Sequence, residues 1–250
     1  MELSDRLQAV ASLVTAGNRV ADIGTDHAYI PIYLLREGTA RSAIAMDVNE
    51  GPLKKAGEHV KENGMEGKIR LCLSDGFEKL EPSEADTAVI AGMGGPLMVR
   101  ILQAYPETVF SLKELVLQPQ SEIAKVRAFL LEEGFLFIQE DMVKDDGKYY
   151  PMMKVAPPQD FRCGGRTEEE KKSRRPEGTG AWNETEVRYG KLLLEMKHPV
   201  LQEYLKREET IRRRILAGLQ TQSGERIRNR KMELEEELEY IRKGLDYYAM

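Results

Sequence analysis

The stretch Val20-Ala21-Asp22-Ile23-Gly24-Thr25-Asp26-His27-Ala28 decides how the chain is read. A mostly apolar run meets a glycine and then gives way to the helical spacing of Ala28–Glu37. That sequence of events is a strand, a tight turn and a crossover helix. A glycine at such a turn lets the backbone approach a nucleotide-like ligand with no Cβ in the way. Dinucleotide-binding turns carry Gly-x-Gly-x-x-Gly, which seats a pyrophosphate on the helix N-terminus. Here Gly24 is followed by Asp26 and Ala28, and Asp22 stands two residues before the glycine. A carboxylate repels a pyrophosphate but suits an ammonium or sulfonium group. Both departures favour S-adenosylmethionine over a dinucleotide.

Outward from this turn the pattern repeats. Strand-like runs occupy Arg19–Gly24, Ser42–Val48, Lys68–Asp75, Thr87–Met93, Glu114–Gln120, Phe135–Val143 and Tyr149–Ala156. Helical spacing marks Glu2–Val14, with Ser4 or Asp5 near its start, then Ala28–Glu37, Glu50–Asn63, Pro96–Gln103 and Ser121–Glu133. Runs such as Ala43–Val48 and Thr87–Ala91 are apolar throughout, as in strands covered on both faces. The last two strands are joined by Asp145-Asp146-Gly147, a hairpin signal. Five β–α units and a hairpin describe an α/β fold, a doubly wound sheet with an antiparallel edge hairpin.

A boundary falls near residue 159. The 250-residue chain has a net charge of −5, which on its face argues against a polyanionic partner. Residues 1–159 hold 17 basic and 24 acidic side chains, whereas 160–250 hold 20 basic and 18 acidic, so the acidic excess belongs to the first part. Cys163–Gly180 is polar, glycine-containing and charged, and reads as a linker or loop. Beyond it, Ile227, Lys231, Leu234, Leu238, Ile241, Leu245 and Tyr248 alternate steps of 4 and 3, an a/d seam. Ser223-Gly224 separates this helix from one over Pro199–Gln222, so the two should pack as an antiparallel coiled coil. The expected domains are therefore 1–159 and 160–250. No apolar run of about 18 residues is present, and Met1–Thr15 is amphipathic rather than a signal peptide. Two cysteines 91 positions apart, with no Cys-x-x-Cys and three histidines, point away from disulfides and metal, toward a reducing cytoplasm.

Further candidates sit at strand ends, where open sheets of this class bind ligands. Asp47, followed by Val48, closes the second strand, where a carboxylate can accept from both ribose hydroxyls. Asp75-Gly76 closes the third, placed to meet an exocyclic amine of adenine. Either aspartate alone is also a common helix cap or turn residue. Ala91-Gly92-Met93-Gly94-Gly95-Pro96 ends the fourth strand in a run able to wall a pocket with backbone, and it lacks the Asn/Asp-Pro-Pro-aromatic element of amino-methylating enzymes. Gln118, near the end of the fifth strand, could donate and accept across a base edge or be a solvated strand end. His27 opens the first crossover helix, as a substrate contact or a satisfied helix-start histidine. His59 and His198 read as surface residues, and Cys72 as buried and inert.

Three blocks carry a specific likeness: Asp22-Ile-Gly-Thr-Asp-His-Ala-Tyr-Ile-Pro31, Ala91-Gly-Met-Gly-Gly95 and Leu117-Gln-Pro-Gln120. Together with Leu3-Ser-Asp-Arg-Leu7, they resemble the bacterial tRNA (adenine-22-N1)-methyltransferase family. The resemblance implies a class I methyltransferase domain followed by a helical coiled-coil domain, with S-adenosylmethionine as cofactor and tRNA as partner. It implies that Asp22, Gly24, Asp26, Asp47, Asp75 and Gly92 line the cofactor site. Adenine N1 has a lone pair at neutral pH, so the implied displacement requires position and alignment rather than a strong base. Asp26 is the nominee for stabilising the cationic product, and Tyr29 for stacking on a base drawn out of its stack. Basic clusters over Arg162–Arg175 and Arg212–Lys231 are the candidate tRNA contacts. The rivals are a small-molecule methyltransferase with a dimerisation coil and a dinucleotide-dependent oxidoreductase.

Overall fold

The computed structural model describes residues 3–158 and 181–249, and the chain divides into two compact units, 1–178 and 179–250. The linker expected over Cys163–Gly180 and the basic cluster Arg162–Arg175 lie outside the described residues.

In the first unit, seven strands form one sheet: β1 Arg19–Ile23, β2 Ser42–Asp47, β3 Ile69–Leu73, β4 Thr87–Met93, β5 Glu114–Pro119, β6 Leu136–Asp145 and β7 Lys148–Ala156. Their spatial order is β3-β2-β1-β4-β5-β7-β6. The first five are parallel, and β7 runs antiparallel to both β5 and β6. The expected hairpin does lie at the edge, with its second strand inserted against β5. Its turn is two residues long, Asp146 at φ 46° and Gly147 at φ 71°. Positive φ at both positions is what a hairpin turn of matching twist demands.

Alternation along the strands divides the core between two faces. Ala21, Ile23 and Ile90 face α4 (Gly95–Ala104), α5 (Pro106–Ser111) and α6 (Ile123–Glu132), through Met98, Val109 and Leu130. Val20, Ala45 and Val89 face α1 (Asp5–Ser12), α2 (Tyr29–Arg36) and α3 (Glu50–Glu62), through Val10, Ile32 and Val60. Ser4 caps α1, its hydroxyl accepting from the Leu7 N–H. Below the sheet, Glu114 accepts from the Thr15 N–H (2.8 Å), the Thr15 and Thr87 hydroxyls (2.6 and 2.9 Å) and Lys154 (3.0 Å). Burial pushes its carboxyl up, but those donors outweigh burial and hold it below the usual carboxylate value. The cluster ties β7, through Lys154, to the foot of β5.

Two features depart from the sequence reading. The segment between β3 and β4 contains no helix, so four strands rather than five lead into one, while the short α5 was not anticipated. β3 is the edge strand of the sheet, with Leu71 and Leu73 exposed and Cys72 part-exposed rather than buried. Among the described residues no helix is long and apolar enough to cross a membrane, and no cluster could hold a metal ion.

The second unit contains α7 (Glu184–Tyr189), α8 (Lys191–Glu195), α9 (Pro199–Leu219) and α10 (Glu225–Ala249). Asn183 and Glu186 form a reciprocal capping box at α7. Contacts run from His198–Tyr248 through Leu205–Gly244 to Arg212–Glu237 and Gln220–Lys231, so α9 and α10 are antiparallel. His198 is half-buried here, not a surface residue, because Tyr248 covers it and donates to its carbonyl (2.9 Å). Burial follows the expected seam at Leu234, Leu238 and Ile241, then moves to Gly244, not Leu245. An α-helix drifts against a 3.5-residue repeat, and Gly244 admits Leu205 and Tyr189. Toward the turn the pairing loosens, with Ile215 and Met232 exposed.

Candidate functional site

The strand order reverses between β1 and β4, and the loops beyond their carboxyl ends enclose a cavity of about 550 Å³. That size lies within the usual range of small-molecule pockets. From β1 and its turn come Asp22, Gly24 and Asp26; from β2, Asp47 and Val48; from β3, Asp75 and Gly76. Ala91, Gly92 and Met93 close it from β4. All ten positions expected at a cofactor site therefore meet in one cavity.

The turn after β1 is held by its own backbone. Gly24 and Thr25 N–H groups both donate to the Met46 carbonyl (2.8 and 2.9 Å). Gly24 has φ 73°, and a Cβ there would lie 2.3 Å from Met93 Cε. Asp26 (φ 49°) and Ala28 (φ 58°) are also left-handed, which swings the Asp26 carboxylate outward, 69% exposed. Asp22 behaves oppositely. It is 4% exposed and accepts from the Thr25 hydroxyl at 2.6 Å. Burial pushes its carboxyl up to about 7, aided by the charge of Asp47 and opposed by Thr25. Asp47 accepts from the Asn49 N–H (2.8 Å), which orients it across the end of β2. Val48 (58% exposed) and Leu97 (39% exposed) offer apolar surface in the same cavity.

His27 and Gln118 are not in the cavity wall. Gln118 is fully buried, so it is neither a solvated strand end nor free to meet a base. Its Oε1 accepts from Arg6 Nη1 (2.9 Å) and the Gly92 N–H (3.2 Å), and its Nε2 donates to the Pro119 carbonyl (3.2 Å). It braces the irregular register of β4 between Ala91 and Met93. Gln120, two residues on, lines the cavity instead.

His27 stands 3.5 Å from Asp26 Oδ1 and stacks on Tyr29 and His59, with centroids 5.1 and 5.3 Å away. Tyr29 and His59 complete the triangle at 5.3 Å. His59 is thus part-buried rather than a surface residue, because its Nδ1 donates to the His27 carbonyl (3.1 Å). Of the three rings only Tyr29 lines the cavity. Sequence reading missed Arg6, Thr25, Leu97, Arg100 and Gln120 in the wall. Leu97, Arg100 and Gln120 follow strand ends and could have been found by that rule; Arg6 gives no such signal.

The basic cluster beside the α9–α10 turn is partly neutralised. Arg212 pairs with Glu208 and Glu237, Arg213 with Glu209, and Arg230 with Glu233 and Glu237. Lys231 donates to the Gln220 and Gln222 carbonyls. Arg214, Arg226 and Arg228 have no ion pair among the described residues.

The methyltransferase-domain family matches residues 3–153. The chain is 37% identical over 153 residues to the tRNA (adenine(22)-N(1))-methyltransferase of Bacillus subtilis (strain 168). That covers 61% of this chain and 64% of that protein, less than two thirds of the relative's length. The fold is similar to the crystal structure of the B. subtilis m1A22 tRNA methyltransferase TrmK, with a TM-score of 0.79 and 28% identity over 98% of this chain and 99% of that one. It is also similar to Streptococcus pneumoniae Sp1610, a putative tRNA (m1A22) methyltransferase in complex with S-adenosyl-L-methionine: TM-score 0.80, 28% identity, 98% and 100% covered.

Proposed function

The chain belongs to the methyltransferase-domain family, and from that premise we propose that it is a bacterial tRNA (adenine-22-N1)-methyltransferase, which methylates N1 of adenine 22 in tRNA. The observation that carries the reading is the convergence of Asp22, Gly24, Asp47, Asp75 and Gly92 from four strand ends on one cavity. Its wall fits S-adenosylmethionine. Four carboxylates suit a ligand that carries an ammonium and a sulfonium, and a side chain at Gly24 would collide with Met93 where the backbone must come close. Bound there, S-adenosylmethionine supplies a methyl group on cationic sulfur.

The chain's own residues then divide the work. Asp22 accepts from the ammonium, Asp47 from the ribose hydroxyls and Asp75 from the adenine amine, while Val48 and Leu97 cover the base faces. Asp26 faces open solvent at the cavity mouth and offers a carboxylate to the charge that develops on the methylated adenine. Tyr29, braced by His27 and His59, presents the ring on which the target base stacks. Gln118 acts through Gly92 and Arg6 as a positioning residue. N1 attacks with its own lone pair, so alignment is what the site must provide.

We assign the chemistry to 1–159 and the grip on tRNA to 160–250, with Arg214, Arg226 and Arg228 as the cations left for phosphates. A tRNA substrate supports a cytoplasmic location. Incubation with labelled S-adenosylmethionine and unmodified tRNA, followed by nucleoside analysis, should yield 1-methyladenosine; its absence would overturn the reading. Truncation after Pro158 should keep cofactor binding and lose tRNA methylation.

A further inference from the structure

The cavity's charges are separated in space. Asp75, Asp47 and Asp22 come from β3, β2 and β1, on one side of the β1–β4 junction. Among the described residues, two cationic side chains line the wall, Arg6 and Arg100. Arg100 follows Leu97 on α4, one residue before Ile101, whose side chain packs against Gly76 beside Asp75. Arg6 lies at the other end, over β4 and β5. Its Nη1 reaches Gln118 and would sit 3.6 Å from a Cβ on Gly92.

Arg6 is also held in place before any ligand arrives. Its backbone N–H donates to Asp145 Oδ2 in the hairpin turn (3.2 Å), and its guanidinium lies 5.5 Å from the Tyr150 ring centroid. Gln118 accepts one of five N–H donors; the rest have no protein acceptor among the described residues. A fork of donors, fixed at the stem and open at the tip, recognises a carboxylate or phosphate oxygen.

An α-amino acid presents an ammonium and a carboxylate on one carbon, so its recognition calls for an acid and a base on opposite sides. Asp22 at the end of β1 and Arg6 of α1, over β4, provide that pair, while Asp47 and Asp75 lie toward the nucleoside end. Resting on the assignment of the cavity to S-adenosylmethionine, we propose that Arg6 holds the carboxylate of the cofactor's amino-acid end, opposite Asp22 on its ammonium. The cofactor is thereby selected over nucleosides that lack the amino-acid arm. Gln118, by fixing Arg6 and Gly92 together, sets the distance between that clamp and the β4 wall.

The test titrates two probes into the full chain by calorimetry: S-adenosylhomocysteine, which has the amino-acid arm, and 5′-methylthioadenosine, which lacks it. In Arg6→Met, affinity for S-adenosylhomocysteine should fall roughly 10–100-fold, the worth of one charge-assisted contact, while that for methylthioadenosine changes less than about twofold. Arg6→Lys should recover part of the loss and is read alone if the Met variant does not fold. Equal weakening of both probes would reduce Arg6 to a structural latch and overturn the proposal. Unchanged probe binding with a raised KM for tRNA would also overturn it and reassign Arg6 to a phosphate of the target strand. Failure of the unaltered chain to bind either probe would instead sink the cofactor assignment, and this inference with it.

Discussion

Replacing Asp22 by Asn should make the protein more stable and a worse binder at once. Burial raises this carboxyl from 3.8 to about 7. At about 1.4 kcal/mol for each tenfold change in proton affinity, keeping it ionised in the folded chain costs up to ~4 kcal/mol. The sign follows from proton counting. Between pH about 4 and 7 the folded state holds a proton that the unfolded state has released, so stability falls as pH rises through that window, and the full cost remains above it. Asparagine keeps an oxygen for the Thr25 hydroxyl and carries no charge. The variant should therefore gain up to ~4 kcal/mol at pH 8 in urea unfolding, with the gap closing toward pH 4. Its binding of S-adenosylhomocysteine at pH 8, read by calorimetry, should weaken roughly 10–100-fold through loss of the charged acceptor. In the parent, binding should weaken about tenfold for each pH unit below about 7, and in the variant that slope should vanish. A variant less stable than its parent at pH 8, or one that keeps parental affinity and pH slope, would refute the account of Asp22.

Gly24→Ala should cost roughly 1–2 kcal/mol in urea unfolding for a left-handed alanine, and displace Met93 enough to abolish cofactor binding in calorimetry. Asp86 is gripped by Arg19 through two nitrogens and its N–H (2.9, 3.1 and 2.9 Å) and by Lys113 (3.2 Å). The Arg19 hydrogen bonds outweigh burial and hold its carboxyl well below the usual range. That stabilisation is complete above pH about 4 and fades as acid protonates the group, so Asp86→Asn should lose about 1–3 kcal/mol at pH 7, with the difference shrinking below pH about 4 in parallel urea titrations. The KM for tRNA should rise steeply with salt, and replacing Arg214, Arg226 and Arg228 together by Gln should lower the log–log slope by about 2–3 while leaving S-adenosylhomocysteine binding unchanged.

What the sequence disclosed was whatever short-range pattern encodes. Asp22, Asp47 and Asp75 could be found because each follows an apolar run, and the end of a parallel strand is a predictable place in a doubly wound sheet. The tight hairpin turn was equally local, since Asp146-Gly147 demands two positive φ angles. Pairings across long separations were not legible. Arg6 meets Gln118 across 112 residues and Asp145 across 139, and no periodicity links them. Gln118 reads in sequence as a base contact or a solvated strand end because a carboxamide there looks polar and free; its burial goes with Arg6 filling its acceptor. His59 departs from its sequence expectation for a similar reason. It belongs to a helix face that looks solvated until the His27 carbonyl and the Tyr29 ring are brought against it. The drift of the seam to Gly244 is a tertiary outcome that local propensity does not set.

The insertion of β7 between β5 and β6 has a consequence for how the chain is made. Synthesis delivers β5, then β6, then β7, yet β6 bonds to the sheet only through β7. From Pro119 until Ala156 has been added, the Leu115-Val116-Leu117 edge of β5 has no partner on that side. At roughly 5–20 residues per second on a ribosome this window lasts a few seconds, during which a flat apolar edge can recruit the wrong strand. A two-residue turn shortens it as far as chain length allows, because β6 and β7 can pair as soon as both exist and dock as a finished ribbon. The same event delivers Asp145 and Tyr150 to Arg6, so a nascent chain lacking its last two strands has the nucleoside end of the cavity but not the fixed guanidinium at the other end.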